Sequence, residues 1–389
     1  MSDPLDFTRA ELDRLDAASL LREVRALDSA QGPEVDLNGR RVLLLASNNY
    51  LGLANDPRVV GAAADAARRW GAGSGSARLI SGGVRLHDEL EARIAAFKGT
   101  ESALLFSSGY LANLGTISAL VGRGDAIFSD ELNHASIIDG ARLSGAHVHV
   151  YRHADAGHLD ELLASPVAGR RLVVSDAVFS MDGDLAPLRD IADVCDRHGA
   201  ILMVDEAHAT GVVGPRGRGA VAEAGLDGRV PVVMGTLSKA LGAAGGFIAG
   251  SADLIAYLRN GARAFIFDTA MPAPVAAAAL AALEVIEAEP WRGERARALS
   301  LRLWSGLSSA GFTVGSAPAA AIVPLVVGEA TDALAMSAAL LAQDVLVPAI
   351  RPPSVAPGTA RLRATVMATH TDEQIDAAVR AFTACRVEA

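Results

Sequence analysis

Between about residues 100 and 250, short strand-like runs alternate with segments of helical periodicity, and this alternation constrains the fold most. The runs lie at 103–106, 126–129, 147–151, 172–176, 201–205, 232–236 and 247–249. Between them, 110–120, 188–198 and 253–259 carry apolar residues at helical spacing, as does 87–97 just before the first run. Strands that alternate with helices in this way pair in parallel, with helices over both faces of one sheet. The expected fold is therefore α/β with a mostly parallel central sheet. Upstream, an amphipathic segment at 8–27 reads as a helical arm, closed by Gly32-Pro33. Downstream the pattern changes: a long helix at 291–307, strands near 322–327 and 362–366, and a last helix from Asp372. The expected divisions are an arm (1–45), a large ligand-binding domain (46–290) and a small α+β domain (291–389).

Ligands of such sheets collect at the carboxyl ends of the strands. Asp205 and His208 follow one run, Ser180 follows another, and Lys239 follows a third. Lys239 stands out for a compositional reason. The chain has only two lysines, Lys98 and Lys239, and its other basic residues are all arginine. A chain that uses arginine for ordinary positive charge keeps lysine where a guanidinium fails, and imine formation with an aldehyde is such a task. An aldehyde-bearing pyridinium cofactor needs an imine lysine and a carboxylate at its ring nitrogen. Lys239, in Gly235-Thr236-Leu237-Ser238-Lys239, and Asp205, in Val204-Asp205-Glu206-Ala207-His208, fit those roles. The cofactor indicated is pyridoxal 5'-phosphate (PLP). Lys98 precedes Gly99 at an expected helix end, where a cation complements the helix dipole.

Other segments are weaker signals taken singly. Ser107-Ser108-Gly109-Tyr110 closes a strand and opens a helix, a natural phosphate cradle, to which Thr236 and Ser238 could add hydroxyls. The glycines of 71–75 follow a helical segment rather than a strand, so they read as a loop and not as a dinucleotide fingerprint. The Asp-Glu-Ala-His string lacks the phosphate-binding lysine motif that a nucleoside triphosphatase would need. His134 stands at an expected helix start, either structural or functional. Of Arg361 and Arg363, one could clamp a carboxylate, or both could lie on a solvated edge strand.

Composition excludes several classes. Over 389 residues, 51% are apolar and 21% charged, which fits a globular chain. A net charge of −10 opposes nucleic-acid binding. Two cysteines cannot build a disulfide framework and fit a reduced cytoplasmic setting. Met1-Ser2-Asp3-Pro4 opens a polar stretch without signal-peptide character, and the apolar stretch at 273–283 is too short to span a bilayer.

Taken in order, the blocks Ser47-Asn48-Asn49-Tyr50-Leu51-Gly52, Phe106-Ser107-Ser108-Gly109-Tyr110, His134-Ala135-Ser136, Val178-Phe179-Ser180-Met181-Asp182-Gly183, Asp205-Glu206-Ala207-His208 and Gly235 to Gly242 resemble the α-oxoamine synthases, PLP enzymes of fold type I. The likeness runs over almost the whole chain. It implies Lys239 as imine partner and base, Asp205 at the ring nitrogen, and His134 stacked on the ring as a candidate proton donor. It also implies Ser180 and His208 at the ring hydroxyl, with Gly109, Tyr110 and Thr236 at the phosphate. Thr269 matches a position that reaches a second subunit's cofactor, implying a homodimer. Asn48 and Arg363 match positions that hold an amino-acid carboxylate, and Arg22 and Ser354 match acyl-substrate positions. The block from Arg351 to Thr359 is most similar to members that join L-alanine to a pimeloyl thioester with loss of carbon dioxide. A glycine-using member of the family is the alternative. Departures from the family pattern are Asn49, Ala77, Ala209 and Ser354, none of them on a proposed catalytic atom.

Overall fold

A computed structural model describes residues 3–385, so Met1 and Ser2, which open the stretch read as lacking a signal sequence, lie outside the described residues. The chain forms two compact units: residues 48–180 with 184–297, and residues up to 47 with 181–183 and the chain from 298 onward.

The smaller unit begins with a helix, Asp6–Ala17, shorter than the expected arm. None of its residues is buried, so no packing extends it, and Ser19 at positive φ takes the chain out of helical geometry. A hairpin follows that the helix-and-break reading overlooked. Strands β1 (Glu34–Leu37) and β2 (Arg40–Leu44) pair antiparallel across Asn38-Gly39, both at positive φ. Asn-Gly is the preferred pair for a two-residue turn that matches strand twist.

The larger unit holds the central sheet. Its strands are β3 (Ser102–Phe106), β4 (Ala126–Asp130), β5 (His147–Tyr151), β6 (Arg171–Asp176), β7 (Ile201–Asp205), β8 (Val232–Thr236) and β9 (Gly246–Gly250). Each lies within one residue of its expected bounds. The order is β3-β9-β8-β7-β6-β4-β5. From β8 to β5 all pairings are parallel, and only β9 runs against its neighbours. Every residue of β4, β8 and β9 is buried. Successive side chains point to opposite faces, so both faces of the sheet are covered, as the apolar runs required. Helix Ala273–Ala288, the alanine-rich stretch, is largely buried, and no described helix is long and apolar enough to cross a membrane.

One glycine sets how closely the site helix approaches the sheet. Gly246 pairs with Phe106 on one side and Thr236 on the other. A Cβ there would sit 2.6 Å from the Gly109 Cα and 2.7 Å from the Ser108 carbonyl oxygen. Those are backbone atoms of the start of helix Gly109–Leu120, which therefore rests directly on the strand.

In the smaller unit, β10 (Ile322–Gly328), β11 (Val345–Leu346), β12 (Ala349–Ile350) and β13 (Ala360–Thr365) complete the strands. β13 lies between β10 and β12, and β11 joins the hairpin beside β2. Arg361 and Arg363 are thus on a central strand and buried, which removes the solvated-edge reading. The last helix, Asp372–Ala384, opens with a reciprocal Thr371–Gln374 cap.

Gly246→Ala is expected to destabilise the fold by about 1–3 kcal/mol through overpacking. An unchanged urea midpoint would contradict this packing.

Candidate active site

Parallel register brings two carboxylates level. Asp176 ends β6 and pairs with Asp205, which ends β7. Asp205 is buried; one carboxylate oxygen accepts from the Ala207 amide at 2.8 Å and the other from Asn113 Nδ2 at 2.7 Å. The same Asn113 nitrogen donates to Ser136 Oγ at 2.9 Å, and Ser136 Oγ bonds His134 Nδ1 at 2.7 Å. Asp205 is therefore linked to His134 through the helix starting at Gly109 and the helix Ala135–Ser144 that His134 caps. Asp176 accepts from the His134 backbone amide at 3.1 Å. Burial, reinforced by the neighbouring Asp205 charge, pushes the Asp176 carboxyl well above the usual carboxylate range. Burial lowers the His134 pKa and the Lys239 charge adds to this, against an upward pull from Asp205.

Lys239 belongs to a second chain of contacts. Its Nζ lies 2.8 Å from His208 Nε2. On the other side of that ring, Nδ1 lies 2.7 Å from the Tyr50 hydroxyl, which donates to Asn48 Oδ1 at 3.0 Å. Tyr50 is fully buried and His208 nearly so. Asn48, His208 and Lys239, singled out separately in the sequence, are thus joined by a residue that was quoted in a motif but given no role.

A third group is built on the start of helix Gly109–Leu120. Ser108 caps it, accepting from the Leu111 amide at 3.1 Å. A Cβ on Gly109 would meet Met234 Cε at 3.0 Å and Thr236 Oγ1 at 3.3 Å, so the glycine lets the helix start approach Thr236 closely. Thr236 Oγ1 donates to the Gly245 carbonyl at 2.8 Å and lies 2.8 Å from Ser238 Oγ. Amides at a helix start with adjacent hydroxyls suit an anion. Tyr110 is exposed and donates to Asp139. Thr269 is exposed beside Asp268, which accepts from Ser107 just after β3.

Ser180 is buried in the loop after β6. That loop is held by His153, whose Nδ1 and Nε2 contact Asp130 and Asp184 at 3.1 and 2.9 Å. Phe179, adjacent to Ser180, packs edge-on against the same ring at 4.3 Å. Hydrogen bonds to Asp130 and then Asp184 raise the His153 pKa to about 10.

Lys98 differs from its expected role. It ends a helix, but its ammonium is buried rather than solvated, bonded to Glu206 at 2.5 Å, Thr210 Oγ1 at 2.8 Å and the Arg218 carbonyl at 2.7 Å. Three acceptors match the three donors of an ammonium. Burial still lowers its pKa, only partly offset by Glu206.

The remaining sequence candidates lie in the smaller unit. Arg22 is exposed and donates to the Pro352 carbonyl at 3.3 Å, so it meets the turn that carries Ser354, itself exposed. Arg363 is buried on β13 opposite Pro324, while Arg361 on the same strand pairs with Asp182 at 2.5 Å.

The chain matches the family model for aminotransferases of class I and II over residues 40–382 and belongs to that family. The likeness to α-oxoamine synthases also holds at the level of individual relatives. A protein named 8-amino-7-oxononanoate synthase from Anaeromyxobacter sp. (strain K) is 54% identical over 380 residues, covering 98% of this chain and 95% of its own. A serine palmitoyltransferase variant from S. paucimobilis, solved with a bound PLP–myriocin aldimine, superposes with a TM-score of 0.94 at 34% identity, covering 99% and 98% of the two chains. An 8-amino-7-oxononanoate synthase from Francisella tularensis gives 0.76 at 26% identity over 88% and 97%.

Two predictions follow from the buried charges. Lys98→Met, which strands Glu206, is expected to cost about 3–5 kcal/mol, and adding Glu206→Gln should recover part of it, as read by urea unfolding. His153 gains its carboxylate partners on folding, so its contribution is complete below about pH 6.5 and lost as pH rises through about 10. His153→Gln should therefore lower stability at pH 7 by about 2 kcal/mol, and the gap to wild type should narrow as pH rises toward and through about 10 in calorimetry.

Proposed function

We propose that this chain is a PLP-dependent C-acyltransferase of the 8-amino-7-oxononanoate synthase type, joining L-alanine to a pimeloyl thioester with loss of carbon dioxide in biotin synthesis. The observation that carries the cofactor assignment is the second lysine, Lys239, with its Nζ 2.8 Å from His208 Nε2, in a site that also holds the buried Asp205. The residues fit the group. Gly109 brings the helix start close to Thr236, whose hydroxyl lies 2.8 Å from Ser238 Oγ, and the Ser108–Tyr110 turn with these hydroxyls would hold the phosphate. Asp205 retains acceptor capacity for a protonated ring nitrogen, since two oxygens accept more bonds than the two that Ala207 and Asn113 supply. Lys239 would hold the aldehyde carbon, His134 the ring face, and Ser180 and His208 the ring hydroxyl.

When bound, the cofactor supplies an electron sink for negative charge at the amino acid's Cα. The chain's own residues do the rest. Lys239 Nζ takes the Cα proton as general base, and His208 Nε2 is placed to exchange a proton with that amine. Asp205 would pair with the ring nitrogen. His134, at the end of the Asp205–Asn113–Ser136 chain, is the candidate donor to the substrate carbonyl oxygen. Asn48 and the buried Arg363 are assigned the amino-acid carboxylate, and Arg22 and Ser354 the acyl substrate. Thr269 is assigned to a second subunit's cofactor, so the working form is a homodimer, and the setting is cytoplasmic.

The superposition on a serine-using enzyme is the closer one in shape, yet full-length identity to the oxononanoate synthase relative is much higher. One scaffold hosts many chemistries, so identity is the better guide to substrate. Purified protein should release thiol from pimeloyl-CoA at least about tenfold faster with L-alanine than with glycine or serine. A preference for serine or glycine would reject the substrate assignment while leaving the cofactor assignment intact. Lys239→Ala should lose both turnover and the visible absorbance that the cofactor gains on joining the protein. A Lys239→Ala variant with normal turnover would reject the central role.

A further inference from the structure

The Asn48–Tyr50–His208–Lys239 chain has a direction. Asn48 Oδ1 can only accept, and the Tyr50 hydroxyl proton is donated to it at 3.0 Å. The phenol has one proton. With that proton facing Asn48, the oxygen offers only lone pairs to His208 Nδ1, 2.7 Å away. The imidazole must then carry its hydrogen on Nδ1, which leaves the Nε2 lone pair aimed at Lys239 Nζ at 2.8 Å. The hydrogen bond at one ring nitrogen sets what the other can do.

We propose that Tyr50 is a positioning residue that fixes His208 as the Nδ1–H tautomer, making Nε2 the proton acceptor for Lys239. The step is a single proton transfer. An N–H bond of the Lys239 ammonium breaks, an N–H bond forms at His208 Nε2, and the positive charge passes from lysine to imidazolium. Tyr50 stabilises that imidazolium by continuing to accept from Nδ1–H. The lysine is left as a neutral amine with a free electron pair. The inference deepens the proposed function and rests on Lys239 being the cofactor amine. The burial of Tyr50 supports a built relay, because a fully buried phenol oxygen needs its partners in place and has little room to reorient. Tyr50 contacts the imidazole at Nδ1 and Lys239 at Nε2. Asp205, three residues earlier, bonds to Asn113 and the Ala207 amide, and Glu206 is engaged by Lys98.

The test uses holoenzyme labelled with nitrogen-15 in histidine, with the His208 signals assigned by their loss in His208→Asn. Wild-type protein should show the ring proton on Nδ1 of His208. Tyr50→Phe removes only the hydroxyl. It should retain one cofactor per chain, show the Nε2–H form as well, and shift the pH midpoint of the visible cofactor band by at least about half a unit. Its kcat should fall about tenfold, with KM for the amino acid within about twofold of wild type. A ring proton on Nε2 in the wild type overturns the proposal, and so does a Tyr50→Phe holoenzyme with the wild-type midpoint and kcat. If Tyr50→Phe does not fold, the wild-type tautomer alone decides. Failure of wild-type protein to develop a visible band would reject the cofactor assignment instead, a result separate from either tautomer outcome.

Discussion

Parallel pairing of β6, β7 and β8 is the constraint on which the site depends. It ends adjacent strands at one edge and sets Asp176 level with Asp205, so chemistry separated by tens of residues converges without any long loop. The same register carries a cost. Two carboxylates buried side by side cannot both ionise cheaply, and here the load falls on Asp176, whose proton is held far more tightly than usual. Asp205 is the more fully hydrogen-bonded of the two. It has a side-chain amide and a backbone amide pointed at its two oxygens, while Asp176 has one backbone amide.

The two lysines illustrate how an arginine-rich chain spends a scarce side chain. Lys98 satisfies three acceptors from one compact ammonium in a space where a planar fork would not reach all three. Its partner Glu206 directly follows Asp205, and Thr210 lies two residues past His208, so the clamp holds both ends of the segment that carries the acid and the histidine. Lys239 has the opposite surroundings: partly exposed, with a ring nitrogen for a neighbour. One lysine is locked among three acceptors, and the other, in the proposed role, is an amine that must lose its charge to react. Arginine can do neither job well.

Most of the central sheet could be read from the chain because parallel strands buried on both faces write themselves as unbroken apolar runs, and the turns between them carry glycine and capping residues. The same reading missed the hairpin at Asn38-Gly39 because β1 and β2 are half polar and belong to a different unit. It extended the first helix past Ala17 because amphipathic spacing says nothing about whether a face finds a partner. Lys239, Asp205, His134 and His208 stood out by residue type and strand-end position. Asn113, Ser136, Asp176 and the role of Tyr50 did not, because each acts through a contact that only the folded register creates. Asn113 did leave a trace, as a lone amide among apolar residues on an otherwise buried helix. Asp176 left one too, as an acid closing an apolar run in the same manner as Asp205. A polar residue where the pattern calls for an apolar one is a cost that folding tolerates only when something is gained, and here both mark the site.

The residues proposed for the acyl substrate lie on different segments from those proposed for acid–base chemistry. The residues proposed for proton transfer, Lys239, His208, Asp205 and His134, follow strands of the central sheet. The residues assigned to the acyl substrate, Arg22 and Ser354, sit on an exposed turn where Arg22 reaches the Pro352 carbonyl and Arg351 reaches the carbonyls of Ser19 and Leu21. A turn tied down by a few arginine–carbonyl bonds can change its side chains without disturbing a buried sheet, whereas a change at Tyr50 or Asn113 would break a chain of buried hydrogen bonds. Overall shape therefore reports the shared fold, and the identity of side chains on such surface segments is the better guide to what is joined to the amino acid.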